Sequence, residues 1–352
     1  MPYSDNSIYL EGSGPCRMHY KEIPRKERFV FQKQPMMRKV LYALAPIAAF
    51  SVYQYGPRVL AVLAVSLGAG FLTEYLFEKK KGGKVSEAVF VTASLFALSM
   101  PPAVPLWIVA VGIIFAVFMA KEVYGGFGRN VFNPAIAGRL FVYISFAGVL
   151  GGSFYESGSF GAAAGSLFGR PDALSAVTPL AQLGAGKGVN IINLLLGFRS
   201  GSIGEASIVL IALAAIYLIA TKTAQWRLIL STLLGGLIMA GGLLLAGVQK
   251  ALPLEALLAG SFLFVAVFMS TDPVSGPKKK GAQWAYGLLI GGVIVIIRTF
   301  SLFPEGTSFA LLIGNTFASL FDKIVTDAAK RKQLAARPAA ASSAGNGKEA
   351  SK

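Results

Sequence analysis

The chain has 352 residues, of which 54% are hydrophobic and only 14% charged, with a net charge of +16. Soluble domains carry about 25% charged residues, so this composition excludes an ordinary soluble fold and points to an all-α integral membrane protein. The Lys and Arg residues gather at the two ends and in short clusters, which argues against nucleic acid as a partner, since that needs a continuous basic face. One cysteine, Cys16, and one histidine, His19, exclude an internal disulfide and leave too few ligands for an iron–sulfur, zinc or haem site. No metal site is expected, and redox chemistry in this chain requires an organic cofactor.

Residues 1–38 are polar and lack the early apolar core of a secretory signal. They are expected to form a cytoplasmic N-terminal segment. A membrane-crossing helix needs about 20 mostly apolar residues. Ten runs approach that pattern, at 39–56, 57–77, 85–101, 104–120, 131–151, 205–221, 228–247, 254–270, 283–299 and 308–325. With the N-terminus inside, the inner segments 1–39, 78–84, 121–130, 222–227, 271–282 and 326–352 hold 8, 4, 2, 2, 3 and 6 Lys/Arg residues. Positively charged loops stay cytoplasmic, so both termini are predicted inside. The expected organisation is a first half at 39–151, an outward-facing loop at 152–204, a second half at 205–325 and a disordered tail at 326–352. Within the loop, VNIINLLLGF is apolar but too short to span, as in a re-entrant or interfacial piece.

Each half carries a Pro-containing break, GRNVFNPA (128–135) and STDPVSGP (270–277). Paired breaks suggest an internal repeat around a central site; two ordinary Pro-capped loops would read the same way. In the stretch 121–141, Gly125 and Gly126 permit close backbone approach. Asn130 and Asn133 add amide groups beside a new helix. This is a candidate ligand pocket, or a tight turn between helices. Ser202 and Glu205 sit where a helix N-terminus would present free N–H groups to an anion, or would simply cap it. Asp272, an ionisable residue near the membrane boundary, is an ion-pathway candidate or a solvated turn residue. In the loop, GRPDALSAVTPLAQ carries Asp172, Ser175 and Thr178. Thr178 followed by Pro179 reads locally as an N-cap and first helical residue.

Taken together, FVTASLFALSMPPAVPLW, AKEVYGGFGRNVFNPAIAGRLF, GSIGEAS, STDPVSGP and NTFASLFD resemble the NqrB/RnfD family. Its members are membrane subunits of the sodium-translocating NADH:quinone reductase and of the Rnf electron transport complex. The resemblance runs from about Pro35 to Val325. It implies ten transmembrane helices in two inverted five-helix repeats, located in the bacterial cytoplasmic membrane. It also implies FMN joined by a phosphoester to a threonine, at a place that here reads SAVT, Ser175 to Thr178. Ala176 and Val177 stand where the family pattern has Gly-Ala. A second, non-covalent flavin, riboflavin, is implied deeper in the membrane domain, at residues the sequence does not fix; Gly125, Gly126, Asn130 and Asn133 are cofactor-binding candidates without an assigned ligand. Asp172, Ser175, Ser202 and Glu205 are candidates around the FMN. The implied partners are the other subunits of the complex, including one with a flavin on the outer side, together with quinone and Na+ or H+. The implied function is electron transfer within an ion-translocating respiratory enzyme. A ten-helix channel or carrier for a small solute, and an assembly subunit without flavin, are the competing readings.

Overall fold

The computed structural model describes residues 31–154, 177–186, 188–205, 207–249, 251–301 and 306–336. The loop candidates Asp172 and Ser175 lie outside the described residues. A short parallel pairing of β1 (Phe31–Gln32) with β2 (Val85–Ser86) opens the fold. Helix α1 (Pro35–Tyr55) follows, with a proline in its first turn and Gly56 at its end, the asymmetry that helix termini favour. Helix α2 (Arg58–Lys81) closes on Gly82 at φ 69°, with Lys79, Lys80 and Lys81 in its last turn, where cations complement the helix dipole. An Arg38–Glu87 ion pair ties the start of α1 to the residue before α3 (Ala88–Leu98).

Helix α4 (Leu106–Val117) runs into a π-helical turn at Phe118–Glu122. Helices α5 (Pro134–Ser145) and α6 (Ala147–Gly151) complete the first half. Two short helices, α7 (Pro179–Gly184) and α8 (Ile191–Leu196), then precede α9 (Ile208–Ala220) and α10 (Trp226–Leu245). Next come α11 (Pro253–Leu258), α12 (Phe262–Phe264) and a second π-helical turn at Val265–Met269. Helices α13 (Lys280–Phe300) and α14 (Gly306–Ala336) end the described chain.

Hydropathy and structure differ in instructive places. Among the described residues, four helices are long and apolar enough to cross a membrane: α2, α10, α13 and the Gly306–Gln333 part of α14. Helices α3, α5 and α9 are apolar but shorter. The third run opens as strand β2, and the fifth run is interrupted at Phe146. The eighth run breaks at Ala259–Gly260, where Gly260 takes φ 67°. The carbonyls freed there find a new donor: Arg298 Nη1 donates to Ala256 O (2.9 Å) and Ala259 O (3.1 Å). A broken helix in an apolar setting survives when neighbours re-satisfy its backbone in this way. Helix α14 continues to Ala336, past the boundary at 325 that hydropathy suggests. Its extension, DAAKRKQLAA, is polar but rich in strong helix formers.

The two halves pack in the same order. In the first, α2 lies against α3 and α4, and α4 against α5; in the second, α10 lies against α11 and α13, and α13 against α14. The α10–α13 contact depends on glycine. A Cβ on Gly291 would sit 2.1 Å from Thr232 O, and one on Gly287 1.8 Å from Ser231 Oγ. Phe96, Leu98, Ile108, Phe262 and Phe264 form part of a core that joins the halves. Large apolar side chains such as Ile216, Ile238, Leu245 and Phe300 point outward, as a lipid-facing surface requires.

Candidate functional site

Thr178 is the N-cap of α7. Its Oγ1 accepts a hydrogen bond from Ala181 N at 3.3 Å, and Pro179 is the first helical residue. The same residue also lines a cavity of about 270 Å³, with Tyr143, Arg199, Ser200, Gly201 and Glu205 around it. Ser200 Oγ donates to Val177 O at 2.9 Å, which pins the residue before Thr178 to the segment RSGSIGE. That segment is anchored in turn on the first half. Ile203 N donates to Met100 O (3.0 Å), Ser51 Oγ to Ile203 O (2.7 Å), Gln54 Nε2 to Gly197 O (2.6 Å) and Tyr55 Oη to Arg199 O (3.1 Å).

The expectation that Ser202 and Glu205 open the sixth spanning helix needs correction. Ile203–Glu205 form a 3-10 turn, and the N-cap of α9 is Ser207, whose Oγ accepts from Leu210 N at 3.5 Å. Glu205 faces the cavity instead, while Ser202 is buried without lining it. The reason is tertiary: hydrogen bonds to α1 and to the end of α3 hold this segment off the helix axis.

Charge around this cavity comes from arginines. Arg199 is 7% exposed; its Nη1 donates to Leu258 O (2.9 Å) and its Nη2 to the main-chain oxygen of Glu205 (2.9 Å). Its Nε has no hydrogen-bond partner among the described residues. Arg139 on α5 has no exposed surface, lies 3.8 Å from Glu205 Oε1, and donates to Ser261 Oγ at 3.3 Å. Buried charge is tolerated only when paired and hydrogen-bonded. Arg199 and Glu205 line the wall, and Arg139 stands behind Glu205. Sequence reasoning misses Arg139, because an arginine inside an apolar run reads as an interruption. Its place in a predicted span is the available signal.

The second group of candidates meets at the two breaks. Asn130, Asn133 and Asp272 line one cavity of about 70 Å³, with Lys121 and Thr271. Asn133 caps α5, its Oδ1 accepting from Ala135 N (3.1 Å) and Ile136 N (3.4 Å), and its Nδ2 donates to Asp272 Oδ2 at 3.5 Å. Asn130 Nδ2 donates to Phe132 O at 3.0 Å. Asp272 accepts from Val274 N (3.1 Å) and Ser275 Oγ (2.7 Å). Burial nonetheless holds its carboxyl above the ordinary aspartate range. The structure thus brings three of the candidates together. Gly125 and Gly126 stand apart from them: they take φ 105° and 92°, and a Cβ on Gly126 would meet Glu78 Oε1 at 3.2 Å. They form a turn over a carboxylate rather than a wall of this cavity. Lys121 is engaged, its Nζ donating to Glu74 Oε2 (2.5 Å) and Ser86 Oγ (2.7 Å).

The two cavities share no lining residue. Helix α5 connects them, from Asn133 at its start to Tyr143 near its end. At 1.5 Å per residue that is roughly 15 Å of helix.

Comparison with known proteins decides the family. The profile described as NQR2, RnfD, RnfE family matches residues 30–330. The chain belongs to this family. It is 36% identical over 290 residues to the B-type subunit of the Na(+)-translocating NADH-quinone reductase of Azotobacter vinelandii, covering 78% of this chain and 69% of that protein. The corresponding protein of Pseudoalteromonas atlantica is 36% identical over 288 residues, 78% of this chain and 68% of its own. That of Pseudomonas aeruginosa is 37% identical over 291 residues, 78% and 69%. The relatives are thus named as subunits of a multi-subunit oxidoreductase, and the family match spans both cavities.

Proposed function

We propose that this chain is the flavin-carrying membrane subunit of an ion-translocating respiratory oxidoreductase, of the kind its relatives' names describe. The observation that carries the reading is the Thr178 hydroxyl, placed on a cavity whose wall holds Arg199, Ser200 and Glu205. A plain helix cap needs no buried arginine beside it, whereas a phosphate group gains from one, because charge-assisted hydrogen bonds are the strong ones. The residues present fit FMN. Thr178 Oγ1 would carry the phosphoester, and Arg199, with its unpaired Nε, would balance the phosphate charge. Glu205 would be held in place by Arg139. Asp172 and Ser175 are proposed as further contacts of the FMN, and Ser202 as part of the turn between Arg199 and Glu205. A bound flavin supplies one- and two-electron redox chemistry, while the protein supplies position and electrostatics.

Riboflavin fits the second cavity poorly. About 70 Å³ is small for three fused rings, and the Asn133 amide is already used on α5 and on Asp272. The break cavity suits a small cation better: Asp272 is an ion-pathway candidate there, for Na+ or H+. Gly125 and Gly126 serve the turn beside it. The remaining subunits, one with a flavin on the outer side, and a quinone are the proposed partners. The proposed setting is the bacterial cytoplasmic membrane, with both termini inside and residues 152–204 outside. The matched packing order of the halves supports ten crossings in two inverted repeats.

The test is covalent flavin. Full-length chain co-expressed with the family's flavin transferase should show flavin fluorescence that survives denaturation in a gel. Thr178→Val keeps the shape and removes the oxygen, so fluorescence and electron transfer should vanish while membrane insertion persists. Ser175→Ala should keep both at least in part. Fluorescence in Thr178→Val would place the attachment elsewhere. Wild-type chain without covalent flavin would sink the reading and leave a solute carrier or an assembly protein.

A further inference from the structure

We infer that the seam between α5 and α14 is a built phospholipid site, with a phosphate cleft at the basic end and an acyl-chain groove along the helices. The cleft, about 370 Å³, is lined by Arg129, Lys278, Ser275, Asn315, Ser319 and Asp322 among others. The groove, about 510 Å³, is lined by apolar side chains, including Phe132, Leu140, Ile144, Leu312 and Ile313. The cavities follow one another along the same two elements. The cleft uses residues 128–131 before α5 and 315–322 of α14, and the groove uses 132–145 and 309–316. Leaving the cleft, residue numbers rise along α5 and fall along α14, so polar head and apolar channel are successive stretches of one seam. The α5 side of the groove, 132 to 145, spans roughly 20 Å of backbone at helical rise, a length suited to an acyl chain.

Asn315 points to a ligand. It is 2% exposed, and Tyr286 Oη donates to its Oδ1 at 2.7 Å. This bond fixes the amide so that Nδ2 is the free end. Nδ2 has no hydrogen-bond partner among the described residues, and a buried donor left unmade is costly. Asp322 offsets only one of the two cations that line the cleft, and its oxygens accept from Lys278 N (2.9 Å) and Lys279 N (2.8 Å). It holds the loop that carries Lys278, while the exposed side chains of Arg129 and Lys278 remain to meet an anion. A phosphodiester satisfies both cations and the Asn315 donor, and its acyl chain fills the groove. A free phosphate leaves the groove empty, and a quinone head leaves the cations unanswered.

Native mass spectrometry of the purified full-length chain with phosphatidylglycerol tests this. Wild-type chain should retain one lipid through detergent removal. Arg129→Gln with Lys278→Gln should weaken retention about tenfold. Ile313→Trp, which fills the groove without touching the cleft, should weaken it comparably. Lipid-free melting of each variant should match wild type. Where the charge variant does not fold, Asn315→Asp gives the same reading, since a carboxylate there repels phosphate. Displacement by inorganic phosphate with no effect of Ile313→Trp would reduce the site to a plain anion site and overturn the proposal. Displacement by a prenylated quinone with no effect of the charge or Asn315 variants would overturn it too, as would equal retention in every variant.

Discussion

Arg139 shows how much one residue can carry. Its guanidinium is fully buried, close to Glu205 and bonded to Ser261. Removing one partner of such a pair leaves the other charge buried and costs about 3–5 kcal/mol. Arg139→Met should therefore destabilise the detergent-solubilised chain by that much in equilibrium unfolding. Arg139→Met with Glu205→Leu should recover part of the loss, because the pair is then gone while Arg199 loses the carboxylate beside it. If the double variant is no more stable than the single one, the pair is not the unit. Asp272 gives a different test. Its folded carboxyl titrates above the ordinary range because its half-buried position desolvates it. A carboxyl raised in the folded state binds its proton more tightly there, so its contribution to stability falls as pH rises between the unfolded and folded values. Asp272→Asn should flatten that part of the pH–stability curve. It should also keep assembly and covalent flavin while lowering turnover or ion coupling; unchanged coupling would return Asp272 to an ordinary turn role.

At the scale of elements, the tight contacts are where sequence and packing meet. Helix α10 and helix α13 approach so closely that a side chain on Gly291 would overlap the Thr232 carbonyl. Overpacking costs typically about 1–3 kcal/mol, occasionally more, and a clash with backbone belongs at the upper end. Gly291→Val should give a chain that inserts but is polydisperse in size-exclusion chromatography, whereas Gly241→Ala, which meets open space, should behave as wild type. Helix α7 illustrates what is legible locally: Thr-Pro predicts an N-cap and a first helical residue, and both are present. The broken eighth run is not legible, because ALLAGSFLF reads as uninterrupted apolar helix. Arg298, from α13, supplies the hydrogen bonds that let the break persist, and its distance along the chain hides that partnership.

Across the whole molecule, the distribution of Lys and Arg predicts that EKKKGGK and residues 152–204 face opposite sides of the membrane. Single cysteines placed by Lys84→Cys and Phe160→Cys in a Cys16→Ser background should label with an impermeant maleimide from opposite sides. Labelling of both from one side would refute the threading. Composition and local sequence by themselves determined the membrane class and the Thr178 cap. These depend on residue type and local spacing, which a linear chain displays. The tertiary structure decided the rest. It broke the eighth run, moved Glu205 off the start of α9, and set Arg139 and Arg199 around the cavity that Thr178 lines. It joined Asn133 to Asp272, and separated Gly125 and Gly126 from them. Most of these depend on a hydrogen bond or ion pair across many residues of chain. In an apolar environment such partners are costly to leave unmade, so where they meet, they override local preference.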